Sequence, residues 1–347
     1  MQLALAEARH GIGLTAPNPP VGAVILREGE LLGKGWHRKA GGPHAEIEAL
    51  RAAGAAGHDV KGASIFVTLE PCSTHGRTPP CVEALQAAGL ARVVWGARDP
   101  NPAHQGRAAA LLAGAGISVT TGVCETECRA ILRPFAKRLT TGLPWVIAKA
   151  GVSLDGRITR PAGEGQWLTG PEARADAMEL RSTCEAVLVG AGTVRTDDPA
   201  LTVRSPALRD GQAQPWRVIL TRSGDLPDEA RVFTDEHRAR TLVFKNQPFE
   251  AVLRDLATRG VMSVLVEGGG QVHAAAFSGG WVDEVIFFVA PLISGSGRPV
   301  VASAAFSGGS RSLQFIDCKQ VGADLRIRAL VTKPRLSQEV PAELPPL

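Results

Sequence analysis

The chain lacks several features that would place it in a class at once. No apolar stretch in its 347 residues is long enough to cross a bilayer. The most apolar one, starting at Val285, is broken at Pro291 and Gly295 and reads as a buried strand. The opening residues, Met1-Gln2-Leu3-Ala4-Leu5-Ala6-Glu7, carry neither a basic segment nor a cleavage site, so export is not expected. There are only six cysteines, too few for a disulfide scaffold at this length. A reduced, cytoplasmic setting is expected, and it suits thiolate metal ligands. Lysines and arginines never run beyond two in a row, and the net charge is only +4. That argues against nucleic acid as a partner and leaves a small anionic substrate compatible. No internal repeat is visible, so different folds are expected in the two halves.

What is present is a globular composition, 44% hydrophobic and 21% charged, in a chain long enough for two domains. Apolar periodicity predicts helices over 3–9, 44–53 and 80–88, and strands over 21–26, 31–36, 63–69 and 92–96. Pro43 and Pro80 stand where two of these helices begin, which puts His44 and Cys81 in first turns. The partial positive charge of a helix N-terminus favours thiolate at Cys81. The run Thr140-Thr141-Gly142-Leu143-Pro144 marks a boundary. Beyond it, strands over 145–150, 186–190, 217–221, 241–244, 263–267 and 285–290 are separated by helices over 171–181 and 249–258, a second α/β unit. The chain thus divides into 1–143, 144–333 and a loose Pro- and Glu-containing tail, 334–347.

Three short stretches carry chemistry: Pro43-His44-Ala45-Glu46, Pro71-Cys72 and Pro79-Pro80-Cys81. They supply one imidazole, two thiolates and a carboxylate beside the imidazole. The first three can hold Zn²⁺ with one position open, whereas a structural site would close with a fourth ligand. The pattern H-x-E…P-C-x-x-C marks zinc nucleobase deaminases, but here eight residues separate the two cysteines. Zinc lowers the pKa of bound water, and Glu46 would move protons from water to the ring nitrogen and the leaving ammonia. Support of His44 is the other role open to Glu46, and a structural site is the other reading of the triad. Cys124 and Cys128 lie on an expected helix without a neighbouring histidine and read as ordinary semi-buried cysteines, as do Cys184 and Cys318. In the second half, Val189-Gly190-Ala191-Gly192-Thr193-Val194 has G-x-G after a strand but no third glycine and no acidic ribose anchor, which argues against a Rossmann domain. Glu267-Gly268-Gly269-Gly270 opens an expected helix, where backbone N–H groups could bind phosphate or form a plain turn.

The stretches 18–22 (N-P-P-V-G), 41–46 (G-G-P-H-A-E) and 68–81, with G-R-T-P-P between the cysteines, resemble the deaminase half of the bifunctional riboflavin-biosynthesis family RibD. The stretches 149–157, 166–169, 192–204 and 266–269 are similar to its reductase half. The resemblance covers nearly all of 1–330. It implies a cytidine-deaminase-like three-layer α/β/α domain followed by a dihydrofolate-reductase-like α/β domain, with one Zn²⁺ per chain and NADPH. It implies His44, Cys72 and Cys81 as metal ligands, Glu46 as proton donor, and Asn18, His37, His75 and Arg77 near the pyrimidine. In the second half it implies Gly151, Trp167, Thr193, Asp197 and the turn from Gly269 through Gly270 and Gln271 to Ala275 at NADPH. Arg181, Leu201, Arg204 and Glu267 would contact substrate. Two guanidinium forks suit a phosphate monoester, with ion pairing as the other reading. Lys149 and Asp155 would bind or polarise the sugar, or pair with each other.

Three positions depart from the family pattern: Thr74 replaces a second histidine, Gly165 a serine expected to touch phosphate, and Arg222 a small polar residue near the cofactor. The implied reactions are deamination of 2,5-diamino-6-(ribosylamino)-4(3H)-pyrimidinone 5′-phosphate, then NADPH-dependent reduction of the ribosyl group to ribityl. A homo-oligomer, dimer or tetramer, is expected. The alternatives are another zinc nucleobase deaminase joined to an unrelated reductase, and a non-catalytic zinc module.

Overall fold

The computed structural model describes residues 1–74, 79–101, 105–165, 167–302, 304, 306, 307 and 309–332. Helix α1 (Gln2–Arg9) buries Ala4, Leu5 and Ala8. Strands β1 (Gly22–Arg27) and β2 (Glu30–Trp36) form a hairpin whose two turn residues, Glu28 and Gly29, both have positive φ, 50° and 88°. That backbone matches the twist of the flanking strands. Helix α2 (Ala45–Ala55) lies flat on the hairpin because Gly33 and Gly35 have no side chains. A Cβ at either would come within 2.4 or 2.5 Å of α2 backbone atoms. This close approach fixes where α2 begins, and so where His44 and Glu46 stand.

Strand β3 (Ser64–Leu69), helix α3 (Cys81–Ala87), strand β4 (Arg92–Ala97), helix α4 (Arg107–Gly114), strand β5 (Ser118–Thr121) and helix α5 (Glu125–Thr141) complete this half. Among the described residues the sheet has five strands in the order β2-β1-β3-β4-β5, with β3, β4 and β5 parallel. Helices α2, α3 and α4 form one layer and α1 and α5 the other. Ile25, Ile65, Val67, Leu85 and Trp95 fill the space between.

The second half opens with β6 (Trp145–Ser153) and α6 (Pro171–Ser182), then β7 (Ala186–Gly190) and the short α7 (Ala191–Asp197). It continues through β8 (Trp216–Thr221), α8 (Arg231–Thr234), β9 (Thr241–Lys245), α9 (Phe249–Thr258), β10 (Ser263–Val266) and α10 (Gly270–Ser278). Strand β11 (Glu284–Ala290) and the hairpin β12 (Leu313–Val321) and β13 (Asp324–Val331) end it. Among the described residues these strands form one sheet, β12-β13-β11-β6-β10-β7-β8-β9. The strands from β11 to β9 are mutually parallel, and β13 and β12 add antiparallel to the edge. Parallel strands buried on both faces need continuous apolar sequence, which Val187, Leu188 and Val189 or Val264, Leu265 and Val266 supply.

The two halves meet along α5. The Lys137 ammonium pairs with the Asp283 carboxylate, both nearly buried, and Asp283 Oδ2 also accepts the Val146 N–H at 2.8 Å. Arg138 Nη1 donates to the Ala257 carbonyl at 2.7 Å, and Arg209 donates to the His10 and Ile12 carbonyls. A groove of about 630 Å³ at this seam, lined by Pro17, Phe135, Arg138, Leu139, Arg254 and Thr258 among others, contains none of the candidate site residues. Among the described residues no helix is long and apolar enough to cross a membrane.

Candidate functional sites

His44 is the N-cap of α2 rather than a member of its first turn, with φ −74° and ψ 164°. Its carbonyl accepts the first helical bond from Glu48, and the extended backbone turns the imidazole toward the start of α3. There Nδ1 lies 3.2 Å from Cys81 Sγ and 3.5 Å from Cys72 Sγ. All three ligand atoms fall within 4.8 Å of one another, and among the described residues the group has three members. A tetrahedral zinc with bonds of about 2.0 Å to nitrogen and about 2.3 Å to sulfur separates its ligand atoms by roughly 3.5–3.8 Å. The donor set therefore fits zinc and leaves one position without a protein ligand. The Cys81 N–H donates to Cys72 Sγ at 3.2 Å. The two thiols share a proton: the Cys81 hydrogen bond, and then His44, hold Cys72 down to about 4, while the same sharing together with burial pushes Cys81 up. With zinc bound, both would be held as thiolates.

Glu46 sits in the first turn of α2 and is only 3% exposed. Burial, then the neighbouring Cys72, pushes its carboxyl up, and it reaches the Cys81 thiol by hydrogen bond. A carboxyl so placed, beside the triad and out of bulk water, can take up a proton and return it. Behind the triad, His37 Nδ1 is 2.9 Å from the Pro43 carbonyl and Nε2 is 3.0 Å from Asn18 Nδ2. A carbonyl accepts only, so Nδ1 carries the proton and Nε2 accepts from the Asn18 amide. Burial holds this imidazole below its ordinary value, which keeps it neutral. Asn18 is thereby oriented by His37, and its own backbone is closed by two bonds with Thr15. Glu70, overlooked in the sequence although it stands two residues before Cys72, is buried and accepts the N–H groups of Asp99 and Gly106 at 3.3 and 2.8 Å. It ties Asp99 and Gly106 to the segment that leads into Cys72. His75 and Arg77 lie outside the described residues, as do Gln166 and the tail 334–347.

In the second half the candidates gather at the C-terminal ends of β6, β7 and β10. Glu267 follows β10 and is mostly covered, held to Arg181 of α6 in a two-point ion pair, 2.7 and 3.2 Å. Burial opposes its ionisation, but Arg181, then Lys149, hold the carboxyl down at about 2. The third arm of Arg181 donates to the Thr202 carbonyl at 2.8 Å. The Arg181 fork is therefore engaged within the protein. Arg204 is exposed and makes no side-chain bond with a described residue, so it is the guanidinium available to an anion. Leu201 is buried at φ 53° and shapes the segment between them.

Lys149 and Asp155 do not pair with each other. Asp155 accepts from the Ser153 hydroxyl at 2.6 Å and the Ser294 and Gly295 N–H groups at 2.9 and 2.8 Å, and lies 3.7 Å from Arg157. Those bonds hold its carboxyl well below the usual range. Asp155 thus ties the segment at 294–295 to the end of β6, a duty its position in the sequence does not disclose.

Gly151 packs on Thr169: a Cβ there would be 3.2 Å from Thr169 Cγ2. Trp167 is 59% exposed, with the Arg174 guanidinium 5.1 Å from its ring centre. Gly269 caps α10, and a Cβ at Gly270 would stand 2.4 Å from the Pro299 carbonyl, so only glycine lets that loop cross the helix start. Gln271 is exposed in the first turn; Thr193 and Asp197 lie on α7. Beneath the turn, His273 is fully buried between the Val266 and Val300 carbonyls, 3.2 and 3.1 Å away. Gly165 adopts φ 97°, a backbone that disfavours a serine there.

Comparison with known proteins matches both halves. The family described as RibD C-terminal domain matches residues 144–327, and the cytidine and deoxycytidylate deaminase zinc-binding region matches residues 1–97. Riboflavin biosynthesis protein RibD of Bacillus amyloliquefaciens is 38% identical, covering 95% of this chain and 95% of its own. Its counterpart in Escherichia coli strain K12 is also 38% identical, covering 94% and 96%. A Thermotoga maritima structure described as a diaminohydroxyphosphoribosylaminopyrimidine deaminase/5-amino-6-(5-phosphoribosylamino)uracil reductase superposes with a TM-score of 0.86 at 34% identity, covering 96% of this chain and 97% of that one.

Proposed function

This chain belongs to the RibD family, zinc deaminases joined to NADPH-dependent reductases of riboflavin biosynthesis, and from that premise we propose how its residues divide the two reactions. In the first half His44, Cys72 and Cys81 would hold the zinc. Zinc supplies the Lewis acidity that makes water a nucleophile near neutral pH. Glu46 accepts the water proton and passes protons to the pyrimidine ring nitrogen and the departing amine. Asn18, held by His37, donates to or accepts from the ring edge and sets its orientation. The substrate is 2,5-diamino-6-(ribosylamino)-4(3H)-pyrimidinone 5′-phosphate, and the products are ammonia and the pyrimidinedione.

In the second half NADPH supplies hydride to the ribosyl C1′, which opens to ribityl. Gly151, Trp167, Thr193, Asp197 and the turn beginning Gly269-Gly270-Gln271 would hold the cofactor. The start of α10 offers unpaired N–H groups to its diphosphate. Lys149 stands by the sugar. Arg204 meets the substrate phosphate, while the Arg181–Glu267 pair builds the wall behind it.

The observation that carries this reading is the convergence of one imidazole and two thiols on a point adjoined by a buried carboxyl. The test is incubation of the purified protein with the diaminopyrimidinone phosphate. Ammonia is expected without NADPH and a ribityl product with it. Deamination of cytidine or guanine, with that phosphate untouched, would sink the proposal.

The chain is expected to act in the cytoplasm on small molecules, without nucleic acid or membrane. We also propose a homo-oligomer. The edge strand β12 leaves Leu313, Phe315 and Ile316 exposed, and a row of unpaired backbone groups with apolar side chains favours pairing with a second copy.

A further inference from the structure

We infer that Arg209, in the reductase half, is a positioning residue for the deaminase site: it holds the loop that presents Asn18 to the pyrimidine. The inference rests on the reading of Asn18 as the residue that orients the ring. Asn18 ends a run of turns that starts where α1 stops. The end of a helix leaves carbonyls without partners, and this run satisfies most of its own. The carbonyls of Glu7, Ala8 and Arg9 accept from the N–H groups of His10, Gly11 and Ile12 at 3.1, 3.0 and 3.3 Å. That of Gly11 accepts from Leu14 and Thr15 at 3.0 and 3.2 Å. The carbonyls of His10 and Ile12 are left over. Among the described residues their donor is Arg209, whose Nη1 meets His10 at 2.8 Å and whose Nη2 meets Ile12. The deaminase half thus takes the cap of its first helix from the reductase half.

A guanidinium suits this duty. Its donors are fixed in one plane, so two of them can serve two carbonyls at once, and its charge is favourable at the carbonyl end of a helix. Arg209 also reaches across from a firm base. The Val203 N–H donates to Gln214 Oε1 at 2.7 Å and Gln214 Nε2 returns a bond to the Val203 carbonyl at 2.9 Å, which closes the segment 203–214. Within it, Gln212 Oε1 accepts the Arg209 N–H at 3.3 Å, and Gln212 Nε2 donates to the Ser182 carbonyl at the end of α6 at 2.5 Å.

The loop is pressed onto that base. Gly13 has φ +77°, and a Cβ there would stand 2.5 Å from the Ser182 carbonyl oxygen and 3.2 Å from Arg209 Nη2. Beyond Gly13 the chain runs straight into the Asn18 turn, where the Asn18 N–H donates to the Thr15 carbonyl at 2.8 Å and the Thr15 hydroxyl to the Asn18 carbonyl at 2.9 Å. Removing the Arg209 fork would strip two carbonyls of their donor at the root of this turn. It would not part the halves, because Lys137–Asp283 and Arg138–Ala257 still join them through α5. Asn18 meets the ring before and during the reaction. Loosening it therefore weakens substrate and transition state alike, which raises KM and spares kcat. A general loosening of the fold would do the reverse, lowering kcat and bound zinc at constant KM.

The test is ammonia release from the diaminopyrimidinone phosphate by the zinc-loaded full chain and by Arg209→Gln, Arg209→Lys, Asn18→Ala and the Arg209→Gln/Asn18→Ala pair. Arg209→Gln is expected to raise KM about tenfold, with kcat and bound zinc moving by no more than about twofold. Arg209→Lys, which keeps the charge without the fork, should fall between. In the Asn18→Ala background, Arg209→Gln should change kcat/KM by no more than about twofold, because the residue it positions is gone. An unchanged KM in Arg209→Gln, a fall in kcat or zinc at constant KM, or the same loss with and without Asn18 overturns the inference and leaves the deaminase in place. Absence of ammonia from the parent chain overturns the inference together with the function it rests on.

Discussion

Replacing Glu46 by Gln keeps the shape of the side chain and removes its capacity to carry a proton. We expect ammonia release from the diaminopyrimidinone phosphate to fall by about 10²–10⁴-fold, with bound zinc by elemental analysis and NADPH oxidation on the deaminated substrate both unchanged. A loss of zinc in that variant would make Glu46 a ligand and not a proton carrier. The Glu267 carboxyl gives a pH signature. It titrates near 4.5 in an unfolded chain and at about 2 in the folded one, because Arg181 and Lys149 outweigh its burial. A depressed folded value contributes stability that is complete above 4.5 and is lost as pH falls through about 2. The urea midpoint of E267Q should therefore depend less steeply on pH between those values than that of the parent chain. At this scale much of the metal site is legible in sequence, because His44 and Cys81 sit in short motifs at helix starts and Cys72 in one just past the end of a strand. The engagement of Arg181 is not legible: its partner lies 86 positions away, and a free and a paired arginine look alike in sequence. The same holds for Asp155, whose backbone partners at 294 and 295 exist only once the loop has folded over β6.

Between α2 and the β1–β2 hairpin there is no room for a side chain at Gly33. A Gly33→Val substitution sets a Cβ where the Ala49 carbonyl now stands, 2.4 Å away, and must lift α2. Overpacking of this kind costs about 1–3 kcal/mol, and here it also moves the cap that carries His44. The variant should release less ammonia and bind less zinc while oxidising NADPH normally on the deaminated substrate; retention of full zinc binding would show that α2 is not set by this contact. Elements with strong punctuation or apolar runs stand out in sequence: α6 behind Pro171, α9 with its buried Val252, Leu253 and Leu256, and the parallel strands of the second sheet. The hairpin β12–β13 does not. Strand β12 is exposed along almost its whole length, so it lacks the alternation that marks a half-buried strand. Strand β5 has four residues, and α4 begins at a left-handed glycine in place of a side-chain cap, which leaves both without a boundary signal.

At the level of the whole molecule, chelation should abolish ammonia release and spare reduction of the deaminated pyrimidine, since zinc serves only the first half; loss of both together, measured by ammonia and NADPH assays on one dialysed sample, would contradict that division. Phe315→Glu on the exposed edge should lower the mass found by light scattering if β12 joins two copies, and an unchanged mass would move the interface elsewhere. The Lys137–Asp283 contact has a further consequence. The peptide hinge between the halves falls at 142–144, but the electrical hinge does not: the cation belongs to the segment before it and the anion to the segment after. Severing the gene at that hinge would part the Lys137 ammonium from the Asp283 carboxylate, which would keep the Val146 N–H, and would uncover the faces that now meet along α5. The pieces would then be stickier apart than together, and a working split enzyme would need both translated in the same cell.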